Sequence, residues 1–333
     1  MQPLVSIRDL HTHFFLDEGT VRAVDGVDLE IGRATTLGLV GESGCGKSVT
    51  ALSILRLIEP PGRIVSGEVV LHRNGQEIEL TALKPHGAAI RRVRGKDIAM
   101  VFQEPMTSLS PVHTVGSQIM EAVRLHTPVK RAAAKAHTIA MMERVGIPNA
   151  ARRFRQYPHE MSGGLRQRAT IAMALSCRPS LLIADEPATA LDVTIQAQIL
   201  HLMREMQAEL GMSILLITHD LGVVAEMAQE VAVMYLGRIV EEALCRRIFR
   251  QPLHPYTRAL LESIPGATRK RRLKVIAGSV PDPFQVIAGC PFHPRCEECE
   301  PGLCDRGAPP PVREARPGHK VACLVRQREL SDE

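Results

Sequence analysis

Tryptophan is absent from this 333-residue sequence, tyrosine occurs three times and phenylalanine seven, so aromatic residues make up only 3% of it. With so few platforms for base stacking, the composition argues against nucleic-acid binding. No window approaches the ~18 consecutive apolar residues of a membrane-spanning helix. The start, "MQPLVSIRDL", lacks the charged stretch and apolar run of a signal peptide. A soluble, cytoplasmic protein is expected. A large excess of either charge is also missing: 41 Lys and Arg against 36 Asp and Glu leave a net +5, and apart from "RKRR" at 269–272 the basic residues are scattered. That run reads as a solvated surface segment. No internal repeat is visible. What the chain does have is a 45% apolar content, enough for one large domain with an appendage or for two domains.

The stretch "GESGCGKS" (41–48) follows the apolar run "TLGLV" and precedes "KSVTALSILRLI", whose apolar residues recur at helical spacing. A glycine-rich loop between a strand and a helix is a phosphate cradle: Gly41, Gly44 and Gly46 allow tight turns that aim consecutive backbone N–H groups at anionic oxygens. Lys47 would reach the β- and γ-phosphates and Ser48 would hold Mg2+. Ser43, Cys45 and Val49 complete the candidate nucleotide contacts of this stretch. A second element, "LLIADEP", ends a buried strand on Asp185, suited to a Mg2+ contact, and Glu186, placed to polarise an attacking water. A third, "SGGLRQR" (162–168), sets Ser162, Gly163 and Gly164 at the head of a helix, a further anion site.

Between these motifs the patterning is that of an α/β protein. "LVSIRDLHTHFF", "VRAVDGVDLEI", "ATTLGLV" and "DIAMVFQ" read as strands, and "GRIVSGEVVLHRNGQEIEL" reads as a hairpin turning at Asn74-Gly75. Residues 104–165 lose the strand signal and are expected to form a helical subdomain. "SLLIADEP" and "MSILLITHD" are continuous apolar runs of parallel-strand type. "VAVMYLGRIVEE" reads as a hairpin and "LHPYTRALLESIP" as a short helix. The main boundary is expected near 250, giving a nucleotide-binding domain over 1–250 and an extension over 251–333. From about 279 the chain is rich in Pro, Gly and Cys.

In order and spacing these elements resemble the nucleotide-binding subunit of an ABC transporter. The resemblance runs through Walker A (41–48), the Q-loop Gln103, the signature "SGGLRQR", Walker B ending at Asp185, then Glu186, the D-loop Asp192 within "ALD" (190–192), and the switch His219. It implies a P-loop NTPase fold with a RecA-like core, an antiparallel β subdomain and a helical subdomain. It also implies an ATPase that binds ATP between Walker A of one subunit and the signature of another. Lys47, Glu186 and His219 would be catalytic, Ser48, Gln103 and Asp185 would serve Mg2+, and Phe14 is the candidate adenine contact. His11 and His13 read as surface residues.

"VFQEPMTSLSP", "DEPATALDVTIQAQIL", "HPYTRALLESIP" and "GCPFHPRC" narrow the resemblance to the oligopeptide/dipeptide/nickel importer subfamily. This implies a second, non-identical ATPase subunit, two transmembrane permeases and an extracytoplasmic binding protein, with this chain peripheral on the cytoplasmic face of the membrane. Leu165 stands where most ABC proteins carry glutamine, as in the subfamily's ATPase type with a long cysteine-bearing tail. A soluble ABC ATPase acting on nucleic acid or ribosomes is the alternative.

Cys45, Cys177 and Cys245 stand apart, whereas Cys290, Cys296, Cys299, Cys304 and Cys323 crowd the end of the chain. In a cytoplasmic setting that points to a metal or cluster rather than to disulfides. The subfamily resemblance implies a [4Fe-4S] cluster on Cys290, Cys296, Cys304 and Cys323, although relatives typically have one residue fewer before the third cysteine, which leaves Cys299 as an alternative ligand. Four thiolates also suit Zn2+, and His293 and His319 are close in sequence.

Overall fold

The computed structural model describes residues 2–73, 75–103, 108–189, 192–263, 276 and 278–331. Asn74 of the hairpin turn, residues 104–107 after Gln103, Ala190 and Leu191 of "ALD", and the "RKRR" run lie outside these. The strands are β1 (Val5–Leu16), β2 (Gly19–Ile31), β3 (Thr36–Val40), β4 (Gly62–Arg73), β5 (Gln76–Glu79), β6 (Ile98–Val101), β7 (Leu181–Asp185), β8 (Ser213–Ile217), β9 (Glu230–Tyr235), β10 (Arg238–Leu244), β11 (Arg313–Arg316) and β12 (His319–Val321). Every residue of β3, β7 and β8 is buried, as expected where a short apolar run is covered on both faces.

The chain divides into two compact units, each assembled from separated segments. One comprises Met1–Leu4, Gly32–Thr35 and Leu83–Leu216. It contains β6, β7 and most of β8, with β7 central among them and β6 parallel to it from Ile98 opposite Leu181. Around these strands run the helices Val115–His126, Arg131–Arg144, Gly163–Leu175 and Val193–Leu210. Thr114 opens the first by accepting from Ser117 N–H, and Asp192 opens the last by accepting from Ile195 N–H. Both side chains satisfy a donor that has no partner within its own helix.

The second unit comprises Val5–Ile31, Thr36–Ala82 and Ile217–Glu333. One of its sheets is antiparallel, in the order β2-β1-β4-β5. Another run of strands has the order β11-β12-β10-β9-β3, in which β3 and β9 are parallel and the remaining pairs antiparallel. The hairpin β11–β12 comes from the Pro- and Cys-rich tail, where the sequence showed no strand signal.

Glu241, fully buried on β10, holds this tail in place. Its carboxylate accepts from Leu253 N–H at 2.7 Å, His254 N–H at 2.9 Å and His319 Nε2 at 2.7 Å. A carboxylate removed from water is costly unless its lone pairs are filled. Here one side chain gathers donors from β12 and from the start of the Pro255–Glu262 helix. Glu241→Ala strands all three donors, and should lower unfolding free energy by ~3–5 kcal/mol, read by urea denaturation; a loss under ~1 kcal/mol would show that the carboxylate carries little of the tail's attachment.

Candidate functional site

The phosphate loop links β3 to the helix Lys47–Ile54. Gly46 has φ 107°, and a Cβ there would fall 2.1 Å from the carbonyl oxygen of Ala23, so only glycine lets the loop lie against β2. Lys47 is 6% exposed, and its Nζ donates to the carbonyls of Gly41 at 2.8 Å and Glu42 at 3.0 Å. Phosphate oxygens would replace these neutral acceptors with charged, stronger ones. Burial pushes the Cys45 thiol up, against the pull of Lys47. Ser43 and Gly44 are exposed, Ser48 and Val49 half-buried, and Gly41 buried.

Behind the loop stands a clamp that the sequence did not reveal. Glu42 N–H donates to the Tyr256 hydroxyl at 2.8 Å, and the Glu42 carboxylate takes a bidentate pair from Arg295, at 2.8 and 3.1 Å. Hydrogen bonding to Glu42 raises the Arg295 pKa further, so the guanidinium stays charged. Tyr235, Tyr256 and Phe292 pack against one another with ring centroids 4.7–5.4 Å apart, and the guanidinium lies over the Tyr235 ring at 5.9 Å. Paired forks of this kind fix orientation as well as energy.

In the other unit, Glu186 follows β7 with φ 48°, a left-handed conformation that is uncommon for any residue with a side chain. Its carboxylate accepts from Gln103 Nε2 at 3.0 Å and Thr189 Oγ1 at 2.9 Å. Such strain persists only where neighbours hold it, and it concentrates at functional positions. Asp185, at the end of β7, is 4% exposed. Ser162 is the N-cap of the Gly163–Leu175 helix, yet it is exposed and its side chain makes no capping hydrogen bond. A Cβ on Gly164 would meet Ile195 at 2.9 Å, so this helix start sits against the Val193–Leu210 helix that Asp192 caps. His219, which belongs to the unit of the phosphate loop, is exposed, directly before Asp220, the N-cap of Leu221–Met227. The structure thus brings Gln103 to Glu186, and Thr189 is the contributor that sequence reasoning missed.

Phe14 lies on β1 opposite Val21 and Gly62, and a Cβ on Gly62 would fall 2.6 Å from its ring. That ring is engaged with its own sheet. His11 Nδ1 lies 3.2 Å from Asp25, and Asp25 is paired with Arg238 at 2.5 Å, so these histidines belong to an ion-pair network although His11, His13 and Asp25 are close enough to chelate.

Cys290, Cys296, Cys304 and Cys323 line one small cavity of about 10 Å³ together with His254, Phe292 and His293; Cys299 is outside its wall. Burial, reinforced by the neighbouring cysteine sulfurs, pushes Cys290 up to about 12 and Cys296 to about 11. Thiolates so placed need a compensating positive centre. His319 is committed to Glu241 and does not join the cavity wall.

Two family models match. Residues 24–189 match the ABC transporter family and residues 240–304 the oligopeptide/dipeptide transporter C-terminal region. A probable peptide ABC transporter ATP-binding protein, y4tR, of Sinorhizobium fredii is 52% identical over 96% of this chain and 94% of its own length. The chain belongs to the ABC transporter ATP-binding family. The oligopeptide transport ATP-binding protein AppD of Bacillus subtilis is 44% identical over the whole of both chains. Among solved structures, the dimeric ATP-binding cassette MJ0796 bound to ADP and Pi has a TM-score of 0.64 at 23% identity, over 73% of this chain and 99% of that one, a likeness of fold. The ABC chain is thus a P-loop ATPase whose hydrolysis of ATP is coupled to transport, in complexes that include transmembrane permeases; none of its described helices is long and apolar enough to cross a membrane itself.

In this ABC ATPase the Arg295 clamp should set the posture of the phosphate loop from behind. Arg295→Ala leaves Glu42 without its charged donor, and should cost about 2 kcal/mol of stability while weakening ATP binding severalfold in equilibrium titrations. Unchanged affinity and unfolding midpoint would remove the clamp from the description of the site.

Proposed function

We propose that this chain is the ATP-hydrolysing subunit of a peptide importer, working beneath two permeases with a second, non-identical ATPase subunit and an extracytoplasmic binding protein. The names of the relatives support peptides as cargo. In this reading residues 1–250 are the nucleotide-binding domain and 251–333 an extension, and the chain lies on the cytoplasmic face of the membrane without entering it. ATP is bound at the head-to-tail interface of the two ATPase subunits, its phosphates on Gly41–Val49 of this chain and beneath the signature of the other. Ser162, Gly163 and Gly164 are offered in turn to the other subunit's nucleotide.

The observation that carries the catalytic reading is the strained Glu186, held by Gln103 and Thr189 at the end of a buried strand. A carboxylate fixed in this way orients and polarises the attacking water as general base. His219 steadies that water or the γ-phosphate, and Asp192 contributes from the head of its helix. Lys47 and the loop amides neutralise phosphate charge that grows in the transition state. Ser48, Gln103 and Asp185 each carry an oxygen of the kind Mg2+ takes and would be its donors, and the ion would supply charge neutralisation at the phosphates. Glu186→Gln should lower turnover of the assembled transporter by about 10²–10⁴-fold and leave ATP binding intact. Normal hydrolysis by that variant would withdraw the role.

The tail cysteines are proposed to hold a [4Fe-4S] cluster that staples the extension. Four thiols around one cavity support this, Cys304 and Cys323 buried and Cys290 and Cys296 half-buried. Four thiolates would also suit tetrahedral zinc, the alternative occupant. Protein purified without oxygen should be brown and carry about four irons per chain. Serine at Cys304 should abolish the colour and serine at Cys299 should not; a colourless protein with one zinc would replace the cluster, and metal-free protein would remove the site.

A further inference from the structure

The sequence offered Phe14 for the base of the nucleotide, and the structure engages that ring within its own sheet. A cavity of about 370 Å³ opens beside Gly44 of the phosphate loop, walled on one side by Thr20–Ala23 of β2 and on the other by residues 282–288 of the tail. Its volume falls in the ~300–1,000 Å³ range of small-molecule sites. The two walls differ in character: β2 brings Arg22 and Asp25, the latter paired with Arg238 of β10, while the tail brings Pro283, Phe284, Val286 and Ile287.

The cavity has a direction. Gly46 rests against the Ala23 carbonyl, which anchors the phosphate loop to one end of this stretch of β2. Gly19 begins the strand, four residues earlier, and a Cβ there would lie 3.1 Å from the Phe284 ring. At ~3.3 Å per strand residue these points are roughly 13 Å apart, the scale of a nucleotide from phosphates to base. Phe284 is 37% exposed and Val286 67%, apolar surface that the fold itself leaves uncovered. A turn holds the ring in place: Asp282 accepts from Phe284 N–H at 2.9 Å, and Gln285 N–H donates to the Asp282 carbonyl at 3.0 Å.

The geometry points to Phe284, supplied by the cysteine-bearing tail, as the ring that stacks on the purine base of ATP. This rests on the phosphate-loop reading above and adds to it a base subsite built by a remote part of the chain. Every base has a π-face, so one ring contributes affinity with little discrimination among purines.

Because the chain has no tryptophan, Phe284→Trp places a single indole at the subsite. In the full-length Phe284→Trp protein, ATP and GTP should change the indole emission and inorganic tripolyphosphate should not. In equilibrium binding, Phe284→Ala should raise Kd for ATP on the order of 10-fold, the scale of one base–aromatic stack. It should leave tripolyphosphate affinity unchanged, with Phe284→Trp near wild type and Phe14→Ala unaffected. ATP binding by Phe284→Ala within twofold of wild type, a silent indole, or equal losses for ATP and tripolyphosphate would each overturn the proposal. Lys47→Ala separates the two readings: it should lose both ligands, and if it binds ATP as wild type does, the phosphate-loop assignment itself fails.

Discussion

The bidentate pair between Glu42 and Arg295 joins residues 253 positions apart, and much of the second unit is arranged around it. Glu42 is the second residue of the phosphate loop; Arg295 immediately precedes Cys296, in the wall of the cysteine cavity. Tyr235, at the end of β9, and Tyr256, on the Pro255–Glu262 helix, complete the enclosure. A loop that must receive four negative charges without rearranging needs a stiff backing. This chain makes that backing from aromatic rings and one desolvated ion pair, so the order of the tail and the posture of the loop are one physical question.

The local devices were legible in the sequence because local chemistry dictates them. The glycines of 41–46, the apolar runs that became β3, β7 and β8, and the hairpin of β9 and β10 depend on neighbours within a few residues. Residues 104–165 did become helical where described, with helices at Val115–His126, Arg131–Arg144 and Ala150–Arg153. What escaped were partnerships across long separations. Glu241 reads as one acid in "IVEEAL", and nothing in that stretch announces a buried carboxylate shared by β12 and the Leu253–His254 backbone. The hairpin β11–β12 was invisible because its strands are short and polar; they pair through contact with β10, not through propensity.

The site residues show the same division. Walker-type motifs name the loop, the acids and the signature, since each must present backbone or carboxylate at a fixed place in a strand–loop–helix unit. They do not say how Glu186 is restrained, which takes Gln103 from 83 residues away and a left-handed backbone. Nor do they identify a base-binding ring when the tail supplies it. Aromatic scarcity makes this the harder to see: with seven phenylalanines in the chain, proximity along the sequence favours Phe14, and only the fold brings Phe284 to Gly19.

The pairing of β12 with β10 also bears on self-association. Without the tail, the Glu241–Ala243 backbone of β10 would leave its hydrogen-bonding groups open along the margin of a sheet, a template for strands of other molecules. With it, the outermost strand is the four-residue "REAR" of β11, short and charged at three positions. Such a margin resists docking by foreign strands, and a chain shortened before residue 313 would trade a guarded border for an adhesive one.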